Sequence, residues 1–306
     1  MIDNTKETVL FWREEDMKYG VYSLLWVPNI TKKDLTILER AKSMGFDGIE
    51  IPLSDDFVNS GLLMDLKAEN KNVGIKLIFS TGLDVNHNII SSEEKIRERG
   101  LDFLKKRIEI VHDFGGDIIS GVLYAPWGYF TGKPKTKSEW EYCKEGLWKA
   151  AEFAKDAQVY IAIEPVNRFE SYFLNTAAEA KQLINEIGHS FIKIHLDTFQ
   201  MNIEENSMYE AITTAGELLY YFHCCESHRG IPGTGHVEWD EVFKAFKEVG
   251  YNNWLTIESF TPEIMGYDFG KQVSIWRKIA EPDEIAKKGL DFLKSMELKF
   301  YKAENL

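Results

Sequence analysis

VYIAIE, residues 159–164, is an unbroken apolar run closed by a carboxylate. A continuous run of this length fits a parallel strand buried on both faces better than an alternating strand with one wet face. Similar runs recur on either side of it, at 20–25, 47–52, 75–79 and 117–123 before it and at 192–197, 218–223 and 253–258 after it. Helical stretches separate them, and glycine often marks the junction: Gly45 before FDGIEI, Gly74 before IKLIF, Gly115-Gly116 before DIISGVL and Gly250 before YNNWLTIE. The repeating unit is helix, glycine cap, strand. In the first helix Thr31 and Asp34 form a capping box, Leu35, Leu38 and Ala41 share one face, and Gly45 ends it.

Eight strand signals alternating with helices, and no block of strands alone, predict an α/β chain folded as a closed (β/α)8 TIM barrel. No Gly-x-Gly-x-x-Gly follows the first strand and no Walker sequence occurs, which weighs against an open nucleotide-binding sheet. Residues 1–16 read as an N-terminal extension and residues 17–306 as a single barrel catalytic domain with extra C-terminal helices. The tail SIWRKIAEPDEIAKKGLDFLKSMELKFY carries two helical periods broken near Pro282, suited to cover the outside of the barrel or a partner subunit.

The chain has 306 residues, of which 44% are hydrophobic and 28% charged, enough to bury one large core. A formal net charge of −13 opposes nucleic acid or an anionic membrane as partner, since those need clustered Lys and Arg; a small neutral molecule fits better. No apolar run reaches membrane-spanning length, and the start MIDNTKETVLFWREED lacks a basic region followed by an apolar one. Cys143, Cys224 and Cys225 make a poor disulfide framework, so free thiols in a reducing cytoplasm are expected.

The chemistry lies at the strand ends. Strand five closes on Glu164, strand six on Asp197, strand seven on His223 and strand eight on Glu258. One charged residue after an apolar run is ordinary loop chemistry, but four on consecutive strands converge on the barrel face where active sites form. Three carboxylates and an imidazole suit Mn²⁺, Co²⁺ or Mg²⁺ better than a structural zinc, although zinc stays within reach. Such an ion would polarise a carbonyl and stabilise an enediolate, and two glutamates on opposite sides of a substrate could exchange its proton, as epimerisation requires.

The segments IEPVNRFE (163–170), DTFQMNIEE (197–205), ESHRGIPGTGH (226–236) and IESFT (257–261) resemble the ketose 3-epimerases, the D-tagatose and D-psicose (allulose) 3-epimerase group, and the likeness runs from Met17 onward. The resemblance implies a xylose isomerase-like TIM barrel that inverts C3 of free ketoses such as D-fructose/D-psicose, D-tagatose/D-sorbose or ketopentoses. It implies one Mn²⁺ or Co²⁺ per subunit on Glu164, Asp197, His223 and Glu258, with Glu164 and Glu258 as the acid/base pair acting through a cis-enediolate. It carries substrate contacts to Glu170 and Arg229, a pocket lining to Tyr22, Trp26, Trp127 and Phe260, and a homodimeric or homotetrameric assembly.

One position departs. The family usually has His three residues after the metal-binding Asp, where this chain has Gln200, an amide that can donate a hydrogen bond but cannot titrate. Gln200 is therefore expected to keep an orienting contact and to change substrate preference or rate. Other candidates have plainer readings: His195 as a hydrogen-bonded barrel-interior residue or a group supporting the ligands, His228 and His236 as loop residues, Glu50, which near the end of strand two could reach the site, as a loop-start carboxylate by preference, and Cys224 and Cys225 as packing residues. Alternatives stay open: a sugar-phosphate 3-epimerase or ketose-aldose isomerase such as a hydroxypyruvate isomerase-like enzyme, with Arg229 in RGIPGTGH as phosphate anchor, and, in another class, a non-catalytic sugar-binding barrel.

Overall fold

Gly45, Gly74, Gly115 and Gly250 all have φ between 68° and 94°, so each glycine junction ends a helix in the left-handed region that a side chain would disfavour. Strands follow those junctions. A computed structural model describes residues 17–302; the extension assigned to residues 1–16 lies outside the described residues. The strands are β1 Lys18–Tyr22, β2 Gly48–Pro52, β3 Lys76–Ser80, β4 Ile118–Gly121, β5 Tyr160–Ile163, β6 Ile192–Asp197, β7 Leu219–His223 and β8 Trp254–Ile257. They pair in parallel in sequence order, and β8 closes on β1. The α-helices around them are α1 Ile37–Ser43, α2 Asp55–Asn59, α3 Leu62–Val73, α4 Glu94–Asp113, α5 Lys137–Ala157, α6 Ala177–Ile187, α7 Thr198–Glu204, α8 Met208–Ala215, α9 Trp239–Val249, α10 Pro262–Val273 and α11 Pro282–Glu297.

The capping box at Thr31 and Asp34 forms, but the turn it starts, Lys32–Thr36, is a 3-10 helix that passes into α1. The first apolar run is strand only to Tyr22; Ser23–Leu25 tightens into a 3-10 turn, with Trp26 N–H bonded to the Ser23 carbonyl at 3.0 Å. β4 stops early, at Gly121, where φ is 121° and a Cβ would lie 2.3 Å from the Thr81 carbonyl oxygen. The tail holds one long α-helix rather than two. Ser274, at φ 55°, ends α10, and Pro282 at the first turn of α11 restarts the helix with its fixed φ.

α11 lies on the barrel itself. A Cβ on its Gly289 would meet Ile257 of β8 at 2.8 Å, and Glu297 at its end accepts from the Tyr19 hydroxyl at 2.5 Å and the Met17 N–H at 3.3 Å. Most of the core lies between barrel and helices, where Ile49, Phe79, Ile161 and Phe222 are fully buried. Burying one such side chain contributes about 1.5–3 kcal/mol.

Inside the barrel, Ile78, Ile118, Ala162, Tyr221 and Trp254 form a separate cluster. The Trp254 ring fits there because Gly48 has no side chain: a Cβ at 48 would stand 2.7 Å from it. That layer floors the site above. Among the described residues no helix is long and apolar enough to cross a membrane.

Candidate active site

Barrel closure sets the ends of β5 to β8 side by side. Asp197 and His223 are the last residues of β6 and β7 and are direct register partners. The β6–β7 register shifts between Ile194 and His195, so that His195 pairs with Tyr221 and Asp197 with His223. Such an irregularity re-aims side chains. Glu164 and Glu258 each follow the last residue of β5 and β8, and all four side chains are buried.

Two triplets of donors meet here. The donor atoms of Glu164, His195 and His223 lie within 4.8 Å of one another, as do those of Asp197, Cys225 and Glu258. His223 Nδ1 stands 3.5 Å from Glu258 Oε2 and joins the two. Asp197 spends its Oδ1 on the N-terminus of α7, accepting from Phe199 N–H at 2.7 Å, and turns its Oδ2 to the centre.

Glu50 decides how His223 can act. Its Oε2 lies 2.7 Å from His223 Nε2 and accepts the Tyr221 hydroxyl at 2.5 Å. A carboxylate there holds the Nε2 proton and aims Nδ1 at the centre, the orientation in which histidine binds a metal once Nδ1 has given up its proton. Nδ1 is buried and has no hydrogen-bond partner. This corrects the reading of Glu50 as a loop-start carboxylate: β2 continues to Pro52, so Glu50 belongs to the strand and is fully buried. Its place in GIEIP, two residues from Gly48 on the inward face, was the available signal.

The electrostatics ask for a cation. Burial pushes the Glu164 carboxyl well above its usual value; His223 opposes this, while Glu258 and Asp197 add to it. Burial, moderated by Arg229, pushes Asp197 up to about 6. Burial would raise Glu258 as well, but Arg229 and His223 outweigh it and hold that carboxyl well below the usual range. Burial works against a charged His223, yet Glu50 and Glu258 dominate and raise it. Crowded buried carboxylates around a free imidazole nitrogen are a donor set that fits a hard divalent ion.

Arg229 enters from the β7–α9 loop at φ 60°. Its Nη1 donates to Asp197 Oδ2 at 2.9 Å and to Glu258 Oε2, and its guanidinium lies 3.9 Å from the Phe199 ring centroid. Glu226, which was not singled out from the sequence, pins this loop: its carboxylate accepts the N–H groups of Ser227, Gly233 and Val237 and the Trp239 indole. His236 is exposed and His228 half-buried.

Glu170 and Gln200 form one network. Glu170 accepts from Trp127 Nε1 at 2.9 Å, Asn167 Nδ2 at 2.8 Å and Gln200 Nε2 at 3.2 Å. Gln200 Oε1 accepts the Asn167 backbone N–H at 2.8 Å, so both ends of the amide are held. The Tyr22 ring lies 6.0 Å from His223 and 6.3 Å from Phe260. Trp26 is different: its indole N–H goes to Asp283 of α11 at 2.9 Å and Arg40 stacks over its ring.

His195 is buried, with Nδ1 2.7 Å from Ser120 Oγ and 3.6 Å from Glu164 Oε2. Burial, reinforced by His223, holds it neutral. Cys224 packs in the core, but Cys225 does not follow the packing reading. Alternation beyond His223 turns its sulfur into the site, 2.9 Å from Arg229 Nη1.

The comparisons agree with this fold. The family model described as xylose isomerase-like TIM barrel matches residues 38–296. The chain is 36% identical over 264 residues to an L-ribulose 3-epimerase of Mesorhizobium japonicum, covering 86% of this chain and 88% of the relative. It is 32% identical over 274 residues to a D-psicose 3-epimerase of Agrobacterium fabrum, covering 89% and 94%. A crystal structure of D-allulose 3-epimerase from Methylomonas sp. in complex with D-allulose superposes with a TM-score of 0.87 at 30% identity, covering 92% of this chain and 98% of that one.

Proposed function

We propose that this chain, which belongs to the ketose 3-epimerase family of xylose isomerase-like TIM barrels and is a carbohydrate epimerase, inverts C3 of a free ketose in a metal-dependent reaction. The observation that carries the reading is the free, buried Nδ1 of His223 amid the strand-end carboxylates. Glu164, Asp197, His223 and Glu258 would hold one divalent ion, Mn²⁺ or Co²⁺ ahead of Mg²⁺. Bound there, that ion supplies Lewis-acid polarisation of the C2 carbonyl and the C3 oxygen.

The chain's own residues do the rest. One of Glu164 and Glu258 takes the C3 proton, giving a cis-enediolate, and the other returns a proton to the opposite face. Arg229, buried beside Glu258 and Asp197, orients the ketose oxygens by charge-assisted hydrogen bonds. Glu170, fixed by Trp127, Asn167 and Gln200, keeps its remaining acceptor capacity for a substrate hydroxyl. Gln200 acts on substrate preference by setting the position of Glu170. Tyr22, Trp127 and Phe260 wall the sugar from water, while Trp26 supports that wall from its contact with α11.

A phosphorylated substrate is disfavoured, because the loop N–H groups that would cradle a phosphate are already taken by the Glu226 carboxylate. A homodimer or homotetramer is part of the same reading, testable by light scattering. The decisive experiment incubates metal-stripped and Mn²⁺-restored protein with D-fructose, D-psicose, D-tagatose and L-ribulose in D2O. Metal-dependent deuterium at C3 together with the 3-epimer supports the reading. No exchange in any ketose, with metal bound, refutes it.

A further inference from the structure

Cys225 stands on the inward face one alternation beyond His223, and its backbone is clamped at both ends by one hydroxyl. Thr198 Oγ1 accepts Cys225 N–H at 2.8 Å and donates to the Cys225 carbonyl at 2.5 Å. Thr198 directly follows Asp197, so the clamp ties the position of the sulfur to that of a carboxylate donor. Sγ lies 3.6 Å from Glu258 Oε2 and 3.1 Å from the Glu258 carbonyl oxygen. The donor atoms of Asp197, Cys225 and Glu258 fall within 4.8 Å of one another, with His223 Nδ1, buried and without a partner, 3.5 Å from the same Glu258 oxygen. In this structure Arg229 Nη1 donates to Asp197, Cys225 and Glu258 alike, so the triplet already cradles one cationic group, and a metal ion drawn in by small shifts of the side chains would take that place.

Packing does not account for that placement. Cys224, on the other face, joins the apolar core, whereas Cys225 is surrounded by Asp197, Arg229 and Glu258. We propose that Cys225 supplies a sulfur donor to the cation centre, so that the site takes thiophilic divalent ions through one sulfur as well as hard ions through oxygen and nitrogen. The inference rests on the metal reading above. Sulfur ligation selects softer ions over Mn²⁺ and Mg²⁺, which a donor set of oxygen and nitrogen alone would not do to the same degree.

The test loads the metal-stripped full chain with Co²⁺ and records its near-ultraviolet absorption beside the Cys225→Ser and Cys225→Ala variants. The expected result is a thiolate-to-cobalt charge-transfer band in the wild type that both variants lack while still binding one Co²⁺. Competition should also show the preference for Cd²⁺ over Mn²⁺ falling by roughly tenfold or more in Cys225→Ser. Stoichiometric cobalt without the band overturns this inference and leaves the metal reading standing. A band that persists in Cys225→Ser assigns the sulfur elsewhere and overturns it too. No cobalt uptake by the wild type sinks both readings together. Should the Cys225 variants fail to fold, Cys143→Ser/Cys224→Ala keeps Cys225 as the only thiol and must retain the band.

Discussion

Replacing Glu50 by Gln tests the site through a fully buried residue that stands behind His223. Glu50 Oε2 sits 2.7 Å from His223 Nε2, so His223 presents Nδ1 to the centre only while its other nitrogen has this acceptor. The amide keeps size and one acceptor but loses the charge, and its NH2 group would replace the Oε1 atom that is buried with no partner. Hydrogen bonds to charged groups contribute about 1.5–3 kcal/mol against about 1 for neutral ones, so the variant should lose about 1–2 kcal/mol of the support for His223. Passed to metal binding, that is roughly a 5- to 30-fold rise in the Mn²⁺ Kd, the scale seen when residues behind a ligand are changed. Calorimetric titration of metal-stripped protein reads it directly, with a thermal melt to verify the fold. Tyr221→Phe is the control: it removes one donor to Glu50 and leaves the imidazole contact, so the Kd should move by less than about threefold. A Glu50→Gln protein that binds Mn²⁺ within about twofold of wild type would refute the role assigned to Glu50.

Glu164→Gln and Glu258→Gln should each abolish epimerisation in a C3-deuterium assay if both faces are served; near-full turnover in either would sink the two-base mechanism. Gln200→His removes the amide that joins Asn167 to Glu170 and should redistribute activity among D-psicose, D-tagatose and L-ribulose, an unchanged profile ruling out Gln200 as a determinant. Burial works to raise Glu226, but the N–H groups of Ser227, Val237 and Gly233 outweigh it and lower that carboxyl. A lowered folded pKa gives stability that is complete above the unfolded value of about 4.3 and is lost as pH falls through the folded one. Glu226→Gln should therefore cost about 2 kcal/mol at pH 7, and its melting temperature should converge on the wild type in strong acid; a gap that stays constant would contradict the linkage.

The chain itself specified the barrel. Continuous apolar runs, glycine caps and the strand-end residues Glu164, Asp197, His223 and Glu258 are local patterns, and local patterns survive in one dimension. Gln200 was also legible as a departure, because its spacing from Asp197 is a sequence property. Only tertiary structure could decide Glu50, Cys225, Glu226 and the tail. Glu50 meets His223 across the barrel interior, 173 positions away in sequence, and no periodicity reports such a pair. Cys225 and Cys224 are adjacent and chemically identical, and only the direction in which the chain leaves β7 makes one a site residue and the other core. Trp26 has the composition of a pocket wall, but its indole N–H needs a partner when buried and finds one in Asp283, 257 positions on. Residue type and spacing set which chemistry could exist here; closure of the barrel set which groups meet, because each of those meetings joins strands and loops far apart in the chain.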